Sequence, residues 1–456
     1  MQSYMKKEKE NLKKKYSKNL SVINEHAAGI DIGDKEHYVA VESEESYDVR
    51  CFGSFTEDLR AIVAWLIVRG ITTVAMESTG VYWLSLYIML EEAGIEVYLV
   101  NAKHVKNVHG RKKDDTDSIW IQKLHRCGLL QKSYQPENEQ RILRTYIRQR
   151  KNLIKIASDS VRRMQKALEL MNIKIHLVIS DILGKTGMQM LKSILGGERN
   201  PKELIKLKDR RIKAKEEDII KSLEGIWKEE YLFMLQQGYD EYLFYQNQIL
   251  DCELNIQKQL LEQVAIINDG DISDLEKALS KIKKKRKPKR NEFNFPVKPY
   301  LDALTGIDLT KIVGIKEASA IEFISEVGTD MSKWQSGKHF AAWLNIAPNT
   351  KITGGKIISS KMMKKKNYAG QILKMAVSSL HSNKSPLGDY YRRMRGKFGG
   401  KGAVLATAHK VARIIYSMLK DKKEFDIKMM KESQEKFKKQ RIKQLEKQLT
   451  KLKNAA

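Results

Sequence analysis

Between residues 27 and 125 the apolar residues change period. Three short strand-like runs come first, and helix and strand then alternate. AAGIDI (27–32), HYVAVES (37–43) and VRCFGSF (49–55) read as strands of a meander. TEDLRAIVAWLIVRG (56–70) predicts a helix, with Thr56 as its N-cap and Gly70 as its stop. TTVAME (72–77) is a buried strand, and VYWLSLYIMLEEAG (81–94) is a helix ended by Gly94. IEVYLVN (95–101) is a further strand, and DTDSIWIQKLH (115–125) opens another helix. This order makes a mixed sheet with helices packed on it, an α/β unit.

Acidic residues fall at the ends of these elements. Asp31 ends the first strand in GIDIG, where glycines let the chain turn sharply at the sheet's rim. Its local alternative is a turn aspartate. Glu77 closes a buried strand in MESTG, and a charge closing an apolar strand is rarely buried unpaired. There the alternative is a helix start, with Ser78 or Thr79 capping the helix that follows. Asp114 and Asp117 lie three apart at a helix start and so share a face. Both also suit the positive end of a helix. Arg111, Lys112 and Lys113 precede them, placed to offset that charge or to touch phosphate. Singly, each local explanation suffices. Jointly, in an RNase H-like topology, the positions converge at one edge of the sheet. Four clustered carboxylates repel one another, so such a cluster calls for Mg²⁺ or Mn²⁺. Cations held there activate a hydroxyl or water and stabilise the leaving oxygen of a phosphodiester.

The length of 456 residues allows two to three domains. Lys and Arg number 84 against 56 Asp and Glu, a formal charge of +28 that points to a polyanion, most commonly nucleic acid. A membrane surface is the rival. No apolar run is long enough to span a bilayer, however, and no secretory h-region opens the sequence. Cys51, Cys127 and Cys252 give neither a zinc pattern nor a disulfide framework, so a reducing cytoplasm is expected.

Residues 1–24 read as a basic arm, 25–135 as the α/β domain and 136–280 as a helical, coiled-coil-like region. Within the last, a helix over 137–172 carries Arg141, Arg144, Arg148, Lys151 and Lys155 on one face, suited to a nucleic-acid backbone or to plain solvation. A second helix over 229–265 repeats Leu235, Tyr242, Ile249 and Ile256 every seven residues, a seam for the first helix or for a second subunit. Residues 281–297 form a linker whose KIKKKRKPKR (281–290) has eight basic residues in ten. A mostly helical domain follows over 298–420, then a helix-prone tail over 421–456. Inside that domain Thr353, Gly354, Gly355 and Lys356 form a glycine-rich loop, either a phosphate cradle with an attacking hydroxyl or a plain turn. Downstream, Lys361, Lys364, Lys365 and Lys366 make the neighbourhood basic. Arg392, Arg393 and Arg395, interleaved with Tyr390 and Tyr391, suggest a backbone-binding edge or an exposed helix terminus.

Taken together, GIDIG, AMESTGVYW, VNAKHVKNVHGRKKDDTDSIWIQKLH, GERNPKEL, TGIDLTKIVGIKEASA, SEVGTDMSKW, KHFAAWLNIAPNTKITGGKIISS, YYRRMRGKFGG and ATAHKVARIIYSMLK resemble the DEDD insertion-sequence transposases, serine-assisted and RNA-guided, related to Piv-type DNA invertases. The likeness covers about residues 25–420. It implies a RuvC-like N-terminal domain, a coiled-coil middle and a C-terminal transposase domain. It also implies that Asp31, Glu77, Asp114 and Asp117 are the family's four acids. Further implications are donor and target duplex DNA, a structured guide RNA, and a homo-oligomer, dimer or tetramer, whose catalytic site joins two subunits. A nucleoid-associated cytoplasmic protein follows. Two departures stand out. Thr353 occupies the position of the family's serine nucleophile, with Ser359 or Ser360 as substitutes, and Lys316 stands where related sequences often carry glycine. A threonine hydroxyl can attack phosphorus, although its β-branch crowds the oxygen. The competing expectations are a junction-resolving nuclease that only hydrolyses and a non-catalytic nucleic-acid-binding copy.

Overall fold

A computed structural model describes residues 21–43, 46–101, 105, 116–282, 288–360, 362 and 367–453. The chain divides into two units, 1–135 and 136–456.

In the first unit, β1 (Ala27–Ile32), β2 (Glu36–Glu42), β3 (Tyr47–Gly53), β4 (Thr73–Glu77) and β5 (Glu96–Val100) form one sheet in the order β3-β2-β1-β4-β5. The first three strands are antiparallel, whereas β4 and β5 run parallel to β1. Chain length explains the difference. A short turn closed by Gly33 N–H to Glu36 O at 3.0 Å joins β1 to β2. Helices α1 (Thr56–Val68) and α2 (Trp83–Glu92) instead supply the crossovers that parallel strands need. Both cover one face, burying Ile30, Met76, Ile62, Leu66, Leu86 and Leu90. Helix α3 (Asp117–Arg126) covers the other, with Ala75, Val100, Trp120, Ile121 and Leu124.

The expected cap at Thr56 is displaced by one residue. Thr56 is the first helical residue, and Asp58 accepts the N–H of the N-cap Phe55 at 3.0 Å. Phenylalanine has no acceptor, so only the carboxylate half of a capping box is present. Gly70 and Gly94 stop their helices as expected, with φ of 64° and 76° just beyond the helix ends.

The second unit is helical apart from one hairpin among its described residues. Its axis is a pair of long helices, α4 (Asn138–Leu170) and, after α5 (Lys185–Leu195), α6 (Pro201–Leu204) and α7 (Glu216–Leu223), helix α8 (Glu229–Ile267). The seven-residue seam faces α4. Leu235, Ile249 and Ile256 are buried and Tyr242 is half-buried, so the long helices pair with each other within one chain. Mid-way along them lies a buried ion pair, Arg150 Nε to Glu253 Oε1 at 2.7 Å. Asn294 donates its N–H and its Nδ2 to Glu253 Oε2, each at 2.8 Å. The Arg150 guanidinium lies 3.7 Å from the Phe293 ring centroid.

Residues 283–287 of the basic linker lie outside the described residues. Beyond α9 (Ser273–Ser280) come α10 (Val297–Thr305), α11 (Glu317–Val327), α12 (Gly337–Trp343), strands β6 (Lys351–Thr353) and β7 (Lys356–Ser359), α13 (Tyr368–Ser378), α14 (Pro386–Asp421) and α15 (Ile427–Lys453). Phe323, Phe340, Leu373, Val411 and Ile415 form the centre of this region. No helix among the described residues is long and apolar enough to cross a membrane.

Candidate active site

Strand register fixes where two of the acids sit. The parallel ladder between β1 and β4 runs to Ile30 opposite Met76, so Asp31 and Glu77 come one step later, side by side at the strands' C-terminal ends. Adjacent strands lie about 4.8 Å apart, and side chains alternate faces along each strand. Ile30 and Met76 belong to the α1/α2 core, so Asp31 and Glu77 point to the opposite, α3-covered face, together with Gly29 and Ala75.

Helix α3 runs antiparallel to β1. Near its C-terminus, the His125 backbone oxygen accepts from Asn24 Nδ2 at 2.7 Å, and the His125 ring bonds Thr73 Oγ1 through Nε2 at 2.9 Å, at the strands' beginnings. Gln122 reaches the Ala27 carbonyl at 3.3 Å. A Cβ on Gly29 would stand 2.3 Å from Gln122 N and 2.3 Å from Ser118 O, so glycine is what lets the helix lie on the strand. The helix N-terminus, and Asp117 as its first residue, is thereby carried to the edge where Asp31 and Glu77 end their strands. Thr116 caps this helix, accepting the Ile119 N–H at 3.4 Å.

The local alternatives fare differently. Helix α2 begins after Tyr82 with no side-chain cap, so neither Ser78 nor Thr79 caps it. Instead Ser78 N–H donates to Val100 O at 3.0 Å, and Thr79 Oγ1 donates to Glu77 Oε1 at 3.4 Å. Asp117 does occupy the positive end of a helix, and a metal role and a helix-dipole role are compatible. Asp114 and its neighbours Arg111, Lys112 and Lys113 lie outside the described residues. Among the described residues, no three His, Cys, Asp or Glu side chains are grouped to hold a metal ion. Asp31, Glu77 and Asp117 nonetheless offer carboxylate oxygens, the donor type that a hard divalent cation takes.

Tyr38 is a neighbour that no sequence pattern singles out. It stands directly opposite Asp31 in the β1–β2 ladder, hence on the same face. Its phenol is pushed up to about 12 by a hydrogen bond with Cys51 and by Glu36, so it keeps its proton. Only the pairing register, which a sequence does not print, would have found it. His37, beside it, is buried, and burial pushes its imidazole down while Glu36's backbone, Asp31 and Asp58 pull upward.

In the second unit, the glycine-rich loop is the two-residue turn of the β6–β7 hairpin. Thr353 pairs with Lys356, and Gly354 and Gly355 have φ of 55° and 75°, the double left-handed pattern of a type I′ turn. No heavy atom lies within 4 Å of a Cβ at either glycine, so backbone conformation alone requires them. Thr353 is exposed at the tip. Ser359 pairs with Lys351, two residues further along, about 7 Å away at strand rise. Lys361, Lys364, Lys365 and Lys366 lie outside the described residues.

Three cations of the basic face of α4 have carboxylate partners within the chain. Arg148 makes a bidentate pair with Glu326, Nε to Oε1 at 2.7 Å and Nη2 to Oε2 at 2.9 Å, and Arg144 Nε stands 3.4 Å from the same carboxylate. Lys151 pairs with Glu322 at 3.0 Å and lies 4.5 Å from the Tyr368 ring centroid. Burial would lower the Lys151 ammonium, but hydrogen bonds with Tyr368 and Glu322 outweigh it and raise the pKa. These three cations therefore dock α4 on α11 and α13. Acids 171–182 residues away in sequence leave no local pattern for a helical wheel to reveal. Lys155 is exposed, and Arg141 is half-buried. Arg392 is likewise engaged locally, with Asp389, with Asn383 O at 2.6 Å and with His381 O at 3.2 Å. Arg393 lies over Tyr390, Tyr391 is buried, and Arg395 is exposed.

Residues 28–173, which contain all four predicted acids, match a family model described as a transposase, the DEDD domain of the IS110 type. Residues 308–392, which contain the hairpin, match the model of the Transposase IS116/IS110/IS902 family. A mixed sheet with acids at its rim and a helical second unit thus belong to a DNA-acting transposase. The chain belongs to the IS110 family of transposases. No curated protein matches the chain.

Proposed function

We propose that this transposase recombines duplex DNA by metal-dependent strand transfer to a protein hydroxyl, under the guidance of a structured RNA. One observation carries the reading: Asp31 and Glu77 end adjacent parallel strands in register on the face that α3 covers, with Asp117 opening α3 at the same edge. The strand order β3-β2-β1-β4-β5, antiparallel in its first three strands, supports an RNase H-like assignment of this unit. In this reading Asp31, Glu77, Asp114 and Asp117 hold Mg²⁺ or Mn²⁺, which supplies charge stabilisation at the attacking and leaving oxygens when bound.

The second unit contributes the nucleophile. Thr353 Oγ1 attacks a DNA phosphorus, the bond from that phosphorus to the leaving sugar oxygen breaks, and the proton lost by Thr353 is balanced by one taken up, through solvent, by the sugar oxygen as it leaves as a hydroxyl. The strand is held as a threonyl phosphodiester until a sugar hydroxyl of the partner strand attacks, restoring the threonine. A type I′ turn holds Thr353 at an exposed tip, whereas Ser359 lies two residues back along the ladder. The guide RNA belongs to the reading because the +28 charge suits more than one polyanion. A homo-oligomer belongs to it because α8 leaves Phe233, Phe244 and Leu254 at 65%, 57% and 65% exposure.

Two variants test the chemistry in a two-plasmid recombination assay. Glu77→Gln abolishes strand exchange while RNA binding persists. Thr353→Ala abolishes exchange, and Thr353→Ser retains it. Full exchange by Glu77→Gln refutes the metal site. Cleavage that survives in Thr353→Ala, yielding hydrolysed ends, makes the protein a junction-resolving nuclease instead.

A further inference from the structure

Helix α14 is two arms. Gly399, at φ 70° and ψ −179°, breaks it, and the arms fold back on each other. Tyr390 on the first arm lies 4.5 Å from Lys410 Nζ on the second, measured to the ring centroid. Arg393 Cζ lies 5.3 Å from the same centroid. One turn beyond Lys410 is Arg413, whose Cγ is 3.5 Å from where a Cβ on Gly337 would stand. That contact sets Arg413 against the start of α12, next to Lys338. The electrostatics follow this geometry. Burial pushes the Lys410 ammonium down, and Arg393 and Arg413 push it further. Burial lowers the His409 imidazole too, with Arg413 and Lys338 acting in the same direction.

Among the described residues, no carboxylate forms an ion pair with Lys338, Lys410 or Arg413. Lys151 provides the contrast: it is also half-buried, but it has Glu322 beside it and its pKa rises. Half-burying a cation among other cations is unfavourable unless an anion completes the site. The Tyr390 ring face offsets part of that cost, as a ring quadrupole does, but carries no net charge.

We propose that the helical hairpin of α14, with Lys410 and Arg413 at its centre and Lys338 beside them, is a seat for a nucleic-acid backbone phosphate. The proposal rests on the DNA-acting reading of the protein. It adds residues outside both family-matched segments, 28–173 and 308–392, in the case of Lys410 and Arg413. A lysine point charge and a guanidinium fork are the groups that take phosphate oxygens. A phosphate there would restore the Lys410 ammonium to its ordinary range.

The test uses the full chain without divalent cation, so that it is independent of strand-transfer chemistry. Binding to a duplex of about 30 base pairs, and separately to an RNA of similar length, is measured across NaCl concentrations. Each lost phosphate contact lowers the slope of log K against log salt by about 0.9 for duplex DNA and about 0.7 for single strands. Lys410→Gln with Arg413→Gln is expected to lower the slope by nearly two such steps with at least one of the two nucleic acids. Lys192→Gln, an exposed lysine on α5, is expected to leave it unchanged. An unchanged slope in the double variant with both nucleic acids overturns the proposal. A second arm stands even if the wild-type chain binds no duplex. Inorganic phosphate added at constant ionic strength raises the Tm of the wild type more than that of the double variant. Equal shifts contradict the site.

Discussion

Gly29→Ala probes how the candidate site is held together. The added Cβ would meet Gln122 N and Ser118 O at 2.3 Å, where ordinary contact begins at 3.4 Å. Both atoms are backbone, so no side chain can swing aside. Helix α3 must retreat from β1 by about 1.1 Å (3.4 − 2.3), or the strand must bend away. Overpacking of this kind costs roughly 1–3 kcal/mol. Asp117 is adjacent to Ser118 and moves with it, away from Asp31 and Glu77. A displacement near 1 Å at a catalytic group lowers a rate by roughly 10²-fold. Urea unfolding followed by tryptophan fluorescence reads the first effect, and the two-plasmid assay reads the second. Gly396→Ala is the control: nothing lies within 4 Å of a Cβ there, and its φ is not left-handed. It should lose no stability and gain about 0.5–1 kcal/mol, the ordinary helical preference for alanine. A Gly29→Ala protein within about 0.5 kcal/mol of wild type, the range of an inconsequential substitution, and fully active in exchange would refute the argument.

Three further outcomes are expected. His125 is 1% exposed, and burial holds its pKa near 4, well below its unfolded value of 6.5. The unfolded chain therefore takes up that proton first, and stability falls as pH drops from about 6.5 to about 4, by about 3 kcal/mol in all. In pH-dependent urea melts His125→Gln should flatten this part of the curve, and an unchanged curve would deny the buried neutral imidazole. Arg150→Met leaves the buried Glu253 carboxylate uncompensated and should cost roughly 3–5 kcal/mol, most of it recovered when Glu253→Met is added. Equal losses in the single and double variants would show that the pair is not the source. Glu326→Gln should loosen α11 from α4, seen as faster hydrogen exchange of α11 amides, because one carboxylate receives both Arg144 and Arg148. Exchange rates unchanged in α11 would assign the docking to apolar contacts instead.

Local patterns carried the sheet. β1 begins and ends where the apolar run AAGIDI does, and α1 and α2 stop at glycines that adopt left-handed φ. The same patterns found Asp31 and Glu77, since an acid closing an apolar strand stands out in sequence. What escaped them was long-range. Opposing carboxylates for Arg144, Arg148 and Lys151 lie in a helix far along the chain, so no local pattern showed that these cations also pair within the chain. Tyr38 joins Asp31 through antiparallel register, and Lys410 meets Tyr390 because one glycine folds α14 back. The glycines beside Thr353 were visible, but a phosphate loop and a hairpin turn use the same residue type, and only φ at both positions separates them.

The most direct test of strand transfer to Thr353 is capture of the covalent complex. A nicked or junction substrate labelled on one strand is incubated with the protein, guide RNA and Mg²⁺, then denatured, digested with trypsin and analysed by mass spectrometry. The expected result is a nucleotide-modified peptide containing Thr353, absent with chelator, absent in Glu77→Gln and absent in Thr353→Ala. Efficient cleavage with no protein-linked strand, or a modified peptide that maps to Ser359 or Ser360, would contradict it.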